Sequence, residues 1–182
     1  MDLLLNYLQE KYSYTNYQRK VAEYAIKTIL SEGSKMLMMG FIFRNDLSHY
    51  LFALAIMLCL RCNSGGLHFH TYISCFITST LYIYFSIRVL PLIKLNSILI
   101  LITLVVTIII CYFIGPVTSE YRPPLDEESI NKYRNRTCLF IFYYTLVAYI
   151  IPNSTYIQIG CWIIILHSLQ LIVAKILRKE KK

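Results

Sequence analysis

The chain has 182 residues, 57% of them hydrophobic and 15% charged, with a mean hydropathy of +0.52. A soluble domain of this size is about 45–50% apolar, so the composition excludes an ordinary soluble globule and points to a membrane protein. Lys and Arg outnumber Asp and Glu by 18 to 10, a net charge of +8; the basic residues are split among short loops, which argues against nucleic acid and for anionic lipid or an acidic peptide.

Residues 2–13 (DLLLNYLQEKYS) place Leu4, Leu5, Leu8 and Tyr12 at helical spacing, with Asp2, Asn6 and Glu10 on the other face. That pattern predicts an amphipathic helix, lying on the membrane surface or packed on the bundle. No secretory signal peptide is expected, because a basic n-region, an unbroken apolar core and a cleavage site are all missing. Six membrane spans are predicted, at 24–43, 47–60, 72–92, 96–115, 138–152 and 156–174. The fourth, NSILILITLVVTIIICYFIG, is long and uncharged. The first carries Lys27, Glu32, Gly33 and Lys35, while the second and fifth are short. Cys111, Cys138 and Cys161 fall in or beside apolar spans and read as small packing residues.

Charge bias tests the count. With six crossings, Lys27 and Lys35 inside the span and both ends cytoplasmic, only Arg44, Arg88 and Lys94 of the 18 basic residues lie outside. Without the first crossing the 18 divide ten to eight, almost no bias. Cytoplasmic loops carry the excess of Lys and Arg, so six crossings in one integral-membrane domain spanning 1–182 is the expected all-α, polytopic architecture. The longest polar loop is then 116–137, broken by Pro116, Pro123 and Pro124, with Lys132, Arg134 and Arg136 just ahead of the fifth span. Residues 175–182 form a basic cytoplasmic tail suited to anionic lipid.

One stretch stands apart: residues 61–75, RCNSGGLHFHTYISC, a re-entrant or bent segment at the cytoplasmic boundary. Three readings compete. Cys59, Cys62, His68, His70 and Cys75 supply enough nitrogen and sulfur for zinc, but Cys59 lies inside a span and Arg61 between the two thiols disfavours a dication. A polar loop with satisfied histidines is the plainest reading, yet ionisable residues clustered at a membrane boundary are costly and more often functional. The third is a Cys/His nucleophilic pair, in which an imidazolium stabilises the thiolate and later protonates a leaving amine. In a continuous helix residues seven apart are separated by about 10.5 Å along the axis. A His68–Cys75 pair therefore requires the chain to fold back, and Gly65-Gly66 permits such a turn. Cys75 would then sit near the start of the third span, where helix amides favour an anion. Spacing alone does not choose between His68 and His70, and Asn63 or Ser64 could orient the imidazole or donate to an oxyanion.

The pattern R-x(4)-G-x-H-x(6)-C, met by Arg61, Gly66, His68 and Cys75, resembles the AgrB family, membrane endopeptidases of Gram-positive quorum sensing. Length, six spans, an amphipathic start and a P-x(5)-R-P loop (Pro116 to Arg122 and Pro123) extend the likeness over most of the chain. The resemblance implies that His68 and Cys75 are the catalytic dyad and that His70 is a neighbour. It implies an AgrD-like pro-peptide as substrate, processed to a thiolactone signal, and a homodimer in a bacterial membrane. It also turns Arg61, otherwise a topology charge at the membrane boundary, toward a substrate carboxylate or an oxyanion, and makes Arg122, Lys132, Arg134 and Arg136 candidates for recruiting an acidic peptide tail, beside the plainer reading of the last three as a topology signal and lipid anchor. The basic cluster is looser than the lysine run of some members. No metal or other cofactor is required. The alternatives are a peptide exporter or sensor, which would need polar groups along several spans where the fourth and sixth offer almost none, and a Cys/His metal-binding protein.

Overall fold

The computed structural model describes residues 16–67, 71–117 and 126–180. The helix predicted over 2–13, His68, His70, Arg122, Lys181 and Lys182 lie outside the described residues. The chain divides into two compact units between Arg44 and Asn45.

The first unit contains α1, Asn16–Ile42, an unbroken 27-residue helix that includes the first predicted span. Lys35 and Glu32 pair one turn apart along it, and the Arg44 guanidinium lies 5.7 Å from the centre of the Phe41 ring.

The second unit is a bundle of five helices that alternate in direction: α2 (Leu47–Ser64), α3 (Tyr72–Tyr84), α4 (Ser97–Ile114), α5 (Glu127–Ile150) and α6 (Thr155–Glu180). The described residues are helical, with a single isolated bridge between Gly65 and Val117. Among the described residues, four stretches are long and apolar enough to cross a membrane: Arg44–Ser64, Tyr72–Leu92, Ser97–Ile114 and Thr155–Leu177.

Local chemistry sets the boundaries. The side chain of Asn96 accepts from Leu99 N at 2.8 Å, and Gly115, with φ +69°, closes the other end of α4 with its N–H on Cys111 O at 3.0 Å. Along α4, Ile100, Leu104, Thr107 and Cys111 recur at helical spacing and face inward, while Ile98, Ile102, Val105, Val106, Ile109 and Phe113 are exposed. Such apolar exposure suits lipid, where the helix satisfies its own backbone. α3 runs on through a wide turn at Phe85–Val89, where Ser86 Oγ donates to Tyr82 O at 2.8 Å, and ends in a tight turn at Leu90–Leu92 that holds Pro91.

Three sequence expectations shift. α2 runs to Ser64, four residues past the predicted 47–60 span, so Arg61, Cys62 and Asn63 are helical; no breaker precedes Gly65. The predicted loop 116–137 is helical from Glu127, because Asp126 caps that end through Ser129 N at 3.4 Å and Glu127 and Glu128 complement the helix dipole. Lys132, Arg134 and Arg136 therefore stand on α5, continuous with the fifth predicted span. Finally, α6 is richer in polar groups than expected, with Gln158, His167 and Ser168 all buried.

One end of the bundle is clamped. Asp46 pairs with Arg88, and the buried Gln158 donates to Leu95 O at 2.9 Å and Pro152 O at 2.8 Å while accepting from Leu95 N at 3.1 Å. Near the middle of α5, Tyr144 donates to Ile157 O at 3.0 Å, and its ring fills the space beside Gly160 where a Cβ would overlap it.

Candidate functional site

The opposite end gathers the unusual residues of the sequence. α2 stops at Ser64 because Gly65 takes φ +71°, with its N–H on Arg61 O at 3.0 Å. The backbone then pairs with the segment after α4: Val117 N donates to Ser64 O at 2.9 Å, and a Cβ on Gly65 would overlap Val117 O. Only glycine fits there, through both its conformation and this close approach. Gly66 follows, buried, with Arg61 Nε 3.8 Å from the position its Cβ would take.

α3 begins a few residues later. Thr71 is its cap, with Oγ1 accepting from Ser74 N at 3.3 Å and donating to Ser74 Oγ at 2.7 Å. Cys75 lies in this first stretch of helix, its N–H on Thr71 O at 3.2 Å, and is 7% exposed. Within the stretch 61–75, residues 61–64 are thus the end of α2, Gly65 and Gly66 follow it, and Tyr72–Cys75 begin α3. His68 and His70 lie outside the described residues.

Other expected residues take definite places. Asn63 Nδ2 donates to Cys59 O at 2.8 Å, and Ser64 Oγ is turned into the bundle, donating to Leu60 O at 2.7 Å. Arg134 Nη1 donates to Asn131 Oδ1 at 3.1 Å, and its guanidinium lies over the Tyr112 ring at 5.5 Å and beside Gly115. Lys132 and Arg136 are exposed on the same half of α5. The Nε atoms of Arg61 and Arg134 are both buried without a hydrogen-bond partner.

Two residues at this end take places that the sequence reading does not assign them; it takes Lys175 only as part of the basic tail. Lys175 Nζ donates to Ile114 O at 3.1 Å and Phe113 O at 3.3 Å, capping the carbonyls of α4. His167 Nε2 lies 2.6 Å from Ser64 Oγ. A lone histidine in an apolar run carries no periodic signal that would have marked it.

None of the six cysteines forms a disulfide. Cys111 and Cys161 are buried, and Cys138 lies partly buried with Sγ 4.0 Å from Ile108 O. Cys59 and Cys62 are exposed on α2. Among the described residues, no three His, Cys, Asp or Glu side chains are grouped to hold a metal. The Asp126 carboxyl, outside the apolar spans, is held below the usual range by the hydrogen bond of the Ser129 side chain.

A family model described as Accessory gene regulator B matches residues 1–171. No curated protein and no solved structure matches the chain significantly.

Proposed function

The chain belongs to the accessory gene regulator B family, and from that membership we propose a membrane cysteine endopeptidase that processes an AgrD-like pro-peptide. Membership supports a role in autoinducer processing, and with the four apolar helices it points to a bacterial membrane protein. The observation that carries the finer reading is Cys75, a thiol set in the first turns of α3, largely buried, just beyond a glycine turn. The start of a helix favours negative charge, and the thiolate is the nucleophilic form.

In this reading His68 takes the Cys75 proton, and Sγ attacks the carbonyl at the C-terminal side of the future signal. The tetrahedral oxyanion collapses as His68 protonates the departing amine, and the C-terminal fragment leaves an acyl-thioester on Cys75. A substrate cysteine, giving its proton to His68, attacks that thioester. The thiolactone forms, and Cys75 leaves as thiolate and regains the proton. The exchange swaps one thioester for another, so it needs proximity more than driving force. It also needs water kept away, or the thioester hydrolyses to a linear acid; the low exposure of Cys75 suits that need.

The remaining assignments follow the same reading. α1 and the apolar half of α5 supply the two further crossings of a six-span domain, with both ends and the glycine turn cytoplasmic. Arg61 serves a substrate carboxylate or the oxyanion. Lys132, Arg134 and Arg136, with Arg122, attract an acidic peptide tail, and the protein works as a homodimer among anionic lipids.

The test uses protein in lipid with an AgrD-type pro-peptide and mass spectrometry. Wild type is expected to give an adduct on Cys75 and a product lighter by one water than the hydrolysed N-terminal fragment. Cys75→Ala and His68→Ala are expected to give neither. Cleavage that survives Cys75→Ala refutes the reading.

A further inference from the structure

Ser64 and His167 are 103 positions apart in sequence, yet Ser64 Oγ and His167 Nε2 meet at 2.6 Å. Both residues are deeply buried, 3% and 1% exposed. A serine hydroxyl has one hydrogen to donate, and that of Ser64 goes to Leu60 O at 2.7 Å. By this bonding pattern His167 Nε2 carries the ring proton and donates to Ser64. Nδ1 is then an acceptor, buried without a partner. A polar ring with one unsatisfied nitrogen is a costly way to fill an apolar helix, and such residues in membrane spans are retained for function more often than for packing. The mechanism above uses neither residue.

What the pair holds is the approach to the glycine turn. Ser64 is the last residue of α2, and its own carbonyl accepts from Val117 N at 2.9 Å. Three elements therefore converge on this one residue: α2 through its backbone, the segment after α4 through Val117, and α6 through His167. The next residue, Gly65, starts the turn from which the chain continues toward His68. A shift of Ser64 would carry the whole turn with it, because neither Gly65 nor Gly66 has a side chain with which to anchor itself.

We propose that His167 is a positioning residue for the Cys75 chemistry: by donating its Nε2 hydrogen to Ser64 it fixes the end of α2 and the glycine turn that begins at Gly65, at the end of the bundle where α3 starts and carries Cys75. The proposal rests on the reading of Cys75 as the nucleophile.

The test compares full-length protein in lipid, acting on an AgrD-type pro-peptide, as wild type, His167→Phe, His167→Gln, Ser64→Ala, the Ser64→Ala/His167→Phe double variant and Cys75→Ala. Loss of one hydrogen bond that orients a reacting group is expected to lower kcat about tenfold, with KM changed by less than about twofold because no substrate contact is lost. His167→Gln places an amide N–H near the position of Nε2 and is expected to restore most of kcat. Ser64→Ala is expected to match His167→Phe, and the double variant to be no worse than either.

Wild-type kcat in Ser64→Ala and His167→Phe, with Cys75→Ala inactive, overturns the proposal and leaves the nucleophile standing. Losses that add, or that glutamine does not restore, make His167 a packing residue and equally overturn it. Should His167→Phe fail to fold, Ser64→Ala decides alone, since it removes the bond without altering α6. Cleavage by Cys75→Ala refutes the underlying reading instead.

Discussion

Gly65→Ala gives a direct measure of how firmly the turn is held. The native backbone has φ 71° and ψ −141°, a combination that costs a residue with a Cβ about 1–3 kcal/mol. The new Cβ would also overlap Val117 O and stand 3.1 Å from Val117 C. These are backbone atoms and cannot rotate away. Relief requires Val117 to separate from the turn, breaking the 2.9 Å bond from Val117 N to Ser64 O, a net loss of about 0.5–1.5 kcal/mol. Together the substitution is expected to destabilise by about 2–4 kcal/mol, read as a shift in denaturant unfolding of the protein in mixed micelles. Pro-peptide cleavage, measured alongside, is expected to fall further than stability alone explains, because the strain is relieved by moving the turn itself. Gly33→Ala is the control: it lies in α1 with nothing within 4 Å of the added methyl, so it is expected to be neutral or to stabilise by up to about 1 kcal/mol. A Gly65→Ala protein within about 0.5 kcal/mol of wild type and cleaving normally would refute the close approach.

Two further outcomes test the bundle away from the turn. Gly160→Ala brings a Cβ against Tyr144, with ring carbons Cζ at 2.6 Å and Cε2 at 3.0 Å, and is expected to cost about 1–3 kcal/mol. Tyr144→Phe, which loses only the bond to Ile157 O, is expected to cost about 1 kcal/mol; the reverse ranking in the same unfolding assay would show that the ring is not wedged there. At the start of α5, the Asp126 carboxyl has its folded pKa below the ordinary aspartate value of 3.8, held there first by the hydrogen bond of the Ser129 side chain. Its contribution is therefore fully present above that value and is lost as pH falls through the lower folded pKa. The Ser129 amide should keep its hydrogen-exchange protection factor at neutral pH and lose it in acid, whereas equal protection at both would remove Asp126 as the cap.

Where the sequence was legible, one signal served two purposes. The fourth span is uncharged and flanked by Asn96 and Gly115, so the lipid boundary and the helix boundary coincide within a residue. They part elsewhere. Hydropathy falls at Arg61, but Arg61, Cys62 and Asn63 contain no helix breaker, and α2 continues until Gly65. In the same way Lys132, Arg134 and Arg136 look like loop residues by charge, yet the last proline ahead of them is Pro124 and Asp126 is a competent cap, so α5 is already under way. Charge reports where lipid ends; glycine, proline and capping side chains report where the helix ends. The stretch 61–75 was conspicuous through composition, and the position of Cys75 at a helix start followed from the apolar run behind it. The bond between Ser64 and His167 and the pairing of Gly65 with Val117 were not legible. Each joins residues far apart in the chain, and neither leaves a local periodicity.

The alternation of α2 to α6 has an electrostatic consequence. It brings the C-terminal ends of α2 and α4 and the N-terminal end of α3 to the same end of the bundle. Helix C-termini present unsatisfied carbonyls and favour cations, and here Arg61 occupies the last turn of α2 while Lys175 binds the final carbonyls of α4. A helix N-terminus presents amides and favours an anion, and there the chain places Cys75. The polar ends that any helix must satisfy therefore sort the charges: cations stand at the carbonyl ends of α2 and α4, while the amide ends of α3 and α5 carry Cys75 and the acidic Asp126, Glu127 and Glu128. The other end needs no such sorting, because Asp46 with Arg88, and Gln158 with the backbone of Leu95 and Pro152, satisfy it internally. A substitution that reverses charge at Lys175 would put an anion against the α4 carbonyls on the same side as Cys75. Lys175→Glu is accordingly expected to impair both helix packing and thiolate chemistry, while Arg88→Ala, at the clamped end, should weaken an exposed ion pair by no more than about 1 kcal/mol and leave cleavage intact. Equal effects of the two on cleavage rate would mean that the ends of the bundle are not electrostatically distinct.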